Sequence, residues 1–319
     1  MRTCWLICLM ALLTAHRQAR GAQADAPGAE DGNSFSLKLS VDEVNLTFHA
    51  ADAHGMPVND LKFEELRILD DGRTPRRVVG FQRLEDAPIH AGILMDTSES
   101  MTEQVPRDRA ISIKSAELLL GQRADQGFLM DFGYTSKLMT PWTSDSAALA
   151  RGIRHVSAGK ENPLGGTALF DALFQDCYSE FSKADHAASG YFILLFSDGQ
   201  DNASLTSLQE AVDMCQHSDT AVYVFRATAG TQLFSSGPKT LRELAEQTGG
   251  RVFIVGDSDH EIDLDLDLGF IEAELRNQYR VIYNPAELQH NGMFHRIELQ
   301  TPERVATISI RSGYYAPER

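Results

Sequence analysis

Residues 91–100 read AGILMDTSES: an uninterrupted apolar or small run from Ala91 to Met95, then Asp96-Thr97-Ser98-Glu99-Ser100. Such a run is too short for a buried helix and suits a strand covered on both faces. A helical pattern follows (Ala110, Ile113, Ala116, Leu120), so the polar stretch forms a strand-to-helix turn. Working outward, four further runs of the same kind appear: FLMDF, YFILLFSD, AVYVFRA and RVFIVG. Amphipathic stretches lie between them. Phe170, Leu173, Phe174, Cys177 and Phe181 form one stripe and Leu208, Ala211, Val212 and Cys215 another. Strand alternating with helix specifies an α/β fold, a doubly wound, mostly parallel sheet, here over residues 89–277.

The flanks have another rhythm. From Phe35 the chain alternates in FSLKLSV, VNLTFHA, LRILDD and RRVVGFQR, with turn signals at His54-Gly55 and Asp71-Gly72. Residues 35–88 therefore read as a small β unit. Residues 278–319 return to alternation in QYRVIYNP, HRIELQT and ATISIRSGYY, expected to be three antiparallel strands. Neither piece alone buries enough apolar surface to be stable, so the two are expected to pair as one β-sandwich-like unit. The segment DSDHEIDLDLDL at 257–268 fits either a strand or a helix entry, and a helix through Ile271 and Leu275 follows.

The chain opens MRTCWLICLMALLTA, with Arg2 ahead of an apolar run far below bilayer-spanning length. With Ala22-Gln23-Ala24 as a small-x-small cleavage site, residues 1–24 read as a secretory signal and residues 25–34 as a disordered lead-in. The expected location is periplasmic or extracellular. No later segment has the length and apolarity of a membrane span. Loss of Arg2, Arg17 and Arg20 moves the formal charge from −16 to −19, which argues against nucleic acid and anionic lipid as partners. Cys177 and Cys215 would be the cysteines of the mature chain, in a compartment that permits disulfides; spacing leaves two buried thiols and a bridge both open.

Ligands of doubly wound sheets sit in the crevice at the carboxyl ends of the strands, which is where Asp96, Ser98 and Ser100 fall. Gly165-Gly166-Thr167 opens a helix expected over 168–183, and Ser197-Asp198-Gly199 ends the strand at 191–196. Singly, Thr167 reads as an N-cap and Asp198-Gly199 as a turn. Jointly, three loops converge on one rim. Asp201 lies nearby but outside the pattern.

The set resembles the metal-ion-dependent adhesion site of von Willebrand factor A (VWFA) domains, an Asp-x-Ser-x-Ser motif plus a separate Thr and Asp, and all five positions match. The resemblance implies a Rossmann-like VWFA domain in which Asp96, Ser98, Ser100 and Thr167 surround an ion that Asp198 reaches directly or through water. The flanks, VNLTFHAADAHGMPVNDLKFEELRILDDG before and LRNQYRVIYNP with RSGYYAP after, are similar to the VWFA-related acidobacterial family. Glu99 replaces a small residue common in the motif, and Phe196-Ser197 stands where Leu-Thr is more usual; neither removes a ligand. Hydroxyl and carboxylate oxygens are hard ligands, suited to Mg²⁺, with Mn²⁺ or Ca²⁺ as alternatives. Two charged ligands cancel the charge of the ion, and incomplete coordination leaves a position for the Asp or Glu carboxylate of a protein partner. The implied protein is a binding module and not an enzyme.

Other readings carry less. A haloacid-dehalogenase-like phosphatase would need a second carboxylate where Ser98 stands, and no GxxxxGK[ST], GxSxG or HExxH pattern exists. In a purely structural module the ion would only tie loops together. His155, His186, His217 and His260 have no metal-ligand spacing, and His290 and His295 flank an expected hairpin at Asn291-Gly292 without a ligand role. Asn45-Leu-Thr47 and Asn202-Ala-Ser204 match glycosylation acceptors; a glycan on Asn202 would obstruct the rim.

Overall fold

The structure, a computed structural model, describes residues 43–85, 88–122, 124–159, 165–181, 190–227, 236–255, 264–287 and 290–316. The expected signal, the lead-in, the FSLKLSV stretch, His186, His260 and residues 257–263 of the undecided acidic segment lie outside the described residues.

Alternation in the N-terminal flank becomes β1 (Val44–Ala51), β2 (Arg67–Asp70) and β3 (Arg77–Leu84). The chain then enters β4 (Ile89–Asp96), whose odd-numbered side chains Ile89, Ala91, Ile93 and Met95 face one core while Leu94 faces the other. In chain order follow α1 (Val105–Leu119), β5 (Gln126–Phe132), β6 (Ser136–Thr143), α2 (Ser146–His155), α3 (Leu169–Asp176), β7 (Gly190–Phe196), α4 (Leu208–His217), β8 (Thr220–Ala227), α5 (Gly237–Thr248), β9 (Val252–Val255) and α6 (Leu264–Arg276). The six strands form one sheet in the order β6-β5-β4-β7-β8-β9, parallel except at the β6 edge. Ile111, Leu119, Leu149, Ile153, Ile271 and Leu275 bring α1, α2 and α6 against one face. Leu169, Leu173, Val212, Leu241 and Leu244 bring α3, α4 and α5 against the other, so both faces are covered and the central strands β4 and β7 are almost wholly apolar.

Local chemistry sets the helix ends. Asp145 caps α2 by accepting from Ala147 N, Ser207 and Glu210 form a capping box on α4, and α5 stops at Gly249, left-handed at φ 87. The helix expected over 168–183 is shorter in its regular part: α3 ends at Asp176 and widens into a π turn, Cys177–Phe181. Cys177 in that turn is bridged to Cys215 of α4, with Cα atoms 4.9 Å apart, which settles the pairing the spacing left open.

After α6 only Asn277 separates the helix from β10 (Gln278–Asn284), followed by β11 (Phe294–Gln300), β12 (Thr307–Ile310) and β13 (Gly313–Tyr315). Strands from the two flanks interleave: one sheet has the order β12-β1-β10-β3 and the other β13-β11-β2, all antiparallel. Val44, Leu46, Val281 and Tyr283 of the first sheet pack on Ile68, Ile297 and Tyr314 of the second. Two expectations need correction. ATISIRSGYY is two strands, because the chain crosses between the sheets at Arg311-Ser312. Asn291-Gly292 does not close a hairpin, because β10 and β11 pair in different sheets.

A buried ion pair fixes the exit from α6. Arg276 Nη2 lies 2.9 Å from Asp125 Oδ2, and Asp125 Oδ1 accepts from Ile89 N at the start of β4. Among the described residues no helix is long and apolar enough to cross a membrane.

Candidate metal centre

Reading the parallel strands in chain order, the sheet runs second, first, third, fourth, fifth, so its direction of winding reverses between β4 and β7. Met95 pairs with Phe196 across this switch point, and Asp96 and Ser197 therefore leave the sheet side by side.

Asp96 is 1% exposed. Its Oδ1 accepts from Ser98 N at 2.9 Å and its Oδ2 from Ser197 Oγ at 2.7 Å. Burial pushes its carboxyl up to about 6; hydrogen bonds from Ser98 and Ser197 oppose the shift, and the charge of Asp198 adds to it. Ser98 Oγ stands 3.2 Å from Ser100 Oγ, the first hydroxyl buried and the second exposed. Asp198 Oδ1 accepts from Gln200 N at 2.9 Å, while Asp198 Oδ2 is buried without a hydrogen-bond partner.

Thr167, 4% exposed, precedes α3 and is held by two loops. Ala168 N donates to Gly133 O at 2.7 Å, and a Cβ added to Gly133 would stand 3.7 Å from Thr97 Oγ1 and 3.9 Å from Ser98 N. Gly166 has φ 101, and a Cβ there would meet Asn202 Oδ1 at 3.0 Å, so the residue before Thr167 has to be glycine. Thr167 N donates to Asn202 Oδ1 at 2.8 Å, and Thr167 O accepts from Asn202 N and Ala203 N. The side-chain oxygen and the backbone N–H of Asn202 are thus both spent on the loop.

Several residues of this assembly escaped the sequence. Asp201, set aside above, accepts from Phe170 N at 3.1 Å and from Ser204 Oγ, which itself accepts from the amides of Phe170 and Asp171. Asp171 returns the contact by accepting from Thr206 N at 2.8 Å. The loop after β7 therefore holds the start of α3, and Thr167 with it. Asp108 on α1 is buried, and burial pushes its carboxyl up to about 7, with Asp96 adding to the rise. Around the rim stand exposed Glu99, Tyr134 at 45% and Leu205 at 97%. Of the other histidines, His155 hydrogen-bonds to Arg151 O and His217 stacks on Tyr315.

This architecture defines an α/β sheet domain with its polar rim at the topological switch point. The family model described as von Willebrand factor type A domain matches residues 92–200, and the chain carries a von Willebrand factor A-type domain. Similar solved structures include BatB, a conserved hypothetical protein of Bacteroides thetaiotaomicron, with TM-score 0.45 and 17% identity, covering 57% of this chain and 97% of that one. A von Willebrand factor type A protein from Catenulispora acidiphila has TM-score 0.47 and 13% identity over 86% of this chain and 72% of that one. Proximal thread matrix protein 1 from the mussel byssus, with a zinc-occupied MIDAS motif, has TM-score 0.47 and 14% identity over 65% and 50%. No curated protein matches the chain.

Proposed function

We propose that this chain is an exported binding protein whose A domain, over residues 89–277, engages a protein partner through a divalent ion held by Asp96, Ser98, Ser100, Thr167 and Asp198. The observation that carries this reading is the orphaned Asp198 Oδ2, buried beside a second buried carboxylate, Asp96, on a rim of hydroxyls. An uncompensated buried carboxylate oxygen costs about 1–3 kcal/mol, and a cation would remove that cost at Asp198 while offsetting the burial that raises the Asp96 carboxyl. The donor set is all oxygen, which favours Mg²⁺, Mn²⁺ or Ca²⁺. When bound, the ion offers a coordination position to a carboxylate. The chain does the rest. Ser197 and the Ser98 amide fix the Asp96 carboxylate, the loop after β7 fixes Thr167, and exposed Ser100 lies on the open side of the rim.

The disulfide and the N-terminal 1–24 segment support export to the periplasm or beyond, and the flanks at 35–88 and 278–319 together serve as the β unit that carries the A domain. The test is capture of envelope proteins on the immobilised chain with Mg²⁺ and with chelator, alongside Asp96→Ala. Capture should need Mg²⁺ and fail with Asp96→Ala while circular dichroism stays native. Capture that survives both changes defeats the reading and leaves the ion, if bound, a tie between loops.

A further inference from the structure

Asp70 closes β2, Asp71 follows in a left-handed conformation at φ 48, and His295 faces them from β11. One ligand atom from each lies within 4.8 Å of the others. The group belongs to the three-stranded sheet of the β unit and shares no residue with the crevice on the six-stranded sheet.

Each side chain is held in place by a further partner. Asp70 is 4% exposed, and the hydroxyls of Tyr283 and Tyr314 both donate to its Oδ2 at 3.0 Å, which leaves Oδ1 turned to His295 Nδ1 at 3.7 Å. Asp71 Oδ1 accepts from Arg296 N at 2.9 Å, and its Oδ2 lies 2.9 Å from His295 Nδ1. The Tyr314 ring stacks on the imidazole with centroids 5.2 Å apart. Ligands oriented by outer hydrogen bonds in this way are characteristic of metal sites. One observation points past a closed hydrogen-bond cluster. A cavity of about 310 Å³ opens on the group, lined by Asp70, Asp71, Asn291, Met293 and His295 among others, with room for waters to complete a coordination shell.

We infer that Asp70, Asp71 and His295 form a second divalent-metal site, separate from the crevice, which takes an imidazole-tolerant transition ion such as Zn²⁺. Imidazole with two carboxylates suits Zn²⁺ better than Mg²⁺ or Ca²⁺, whose preferred ligands are all oxygen. Two carboxylates balance the divalent charge, and the ion ties the Asp71-Gly72 turn to β11. Zn²⁺ is titrated calorimetrically into the untagged full chain carrying Asp96→Ala, with excess Mg²⁺ present. One equivalent should bind. Adding Asp71→Asn should weaken binding by more than the roughly 10–100-fold that loss of an outer-shell partner costs. Asn tolerates the left-handed conformation and still accepts from Arg296 N, so the fold should persist; His295→Gln gives a second route to the same loss. An Asp96→Ala chain that takes up no Zn²⁺, or takes it up equally well with Asp71→Asn, overturns the inference.

Discussion

Gly237→Ala asks how the crevice is held. Gly237 opens α5, and a Cβ at that position would stand 2.2 Å from Asp198 O, where an ordinary contact is 3.4–4 Å. The reciprocal approach is as tight: a Cβ on Gly199, at φ 78, would lie 2.5 Å from Gly237 O. In a closely packed interior, the Asp198 backbone or the first turn of α5 must therefore retreat by about 1 Å. Overpacking of this kind costs about 1–3 kcal/mol. For a domain of this size that lowers the melting temperature by about 2–12 °C. A metal site tolerates only about 0.2 Å in its ligand distances, so the larger effect should be on the ion. Mg²⁺ affinity should fall at least about tenfold, a loss of about 1.4 kcal/mol. Calorimetric titration of Mg²⁺, with melting followed in chelator, separates the two effects. Gly80→Ala, where an added Cβ meets nothing within 4 Å, serves as the control. A Gly237→Ala chain that melts lower but binds Mg²⁺ as tightly as the parent would show that Asp198 does not hold the ion, or that α5 does not position it.

Asp201→Ala should weaken Mg²⁺ severalfold by freeing the start of α3, without removing a ligand; an unchanged calorimetric affinity would show that Thr167 needs no such support. His49 is 3% exposed, and burial lowers its pKa to about 4. The unfolded chain takes up that proton near pH 6.5 and the folded chain only near pH 4. Stability should therefore be unaffected by His49 above pH 6.5 and fall by about 3 kcal/mol as pH drops from 6.5 to 4. Urea unfolding of His49→Gln should show a shallower loss across that window, and equal slopes would exclude the assignment. Replacing Cys177 and Cys215 by Ser opens a loop of sequence separation 38, which costs about 4 kcal/mol in the chain-entropy account. Mg²⁺ affinity measured below the lowered melting point should hold, and a parallel loss would place the bridge in the crevice mechanism.

The runs AGILM and YFILLF could be read as strands because helices cover both of their faces, so every position is apolar. β6 was not legible: it is a half-exposed antiparallel edge with Pro141 in its middle, and Ser136–Thr143 shows neither an apolar run nor clean alternation. The widening at Cys177 leaves no local mark either, since the apolar stripe continues through Phe181. At the rim, Asp96, Ser98, Ser100, Thr167 and Asp198 stand out as short strings. Ser197, Asp201, Asn202 and Ser204 do not, because their partners are mostly backbone amides and a carboxylate brought near by folding. His295 was read as flanking a hairpin; its carboxylate neighbours lie more than two hundred residues earlier and meet it only through the β2–β11 pairing.

Leu84 and Gln278 are cross-strand partners, so the points where the chain leaves β3 for the A domain and returns from it in β10 stand about one strand spacing apart, roughly 5 Å. Topologically, the A domain is a long excursion between two neighbouring strands of a module that closes on itself. A short turn joining β3 to β10 would complete that module without it. The insert also touches its host away from that junction, through Arg311 and Asp219 at 3.1 Å and through His217 stacked on Tyr315, so an exchanged insert would need ends as close together and would have to rebuild those contacts.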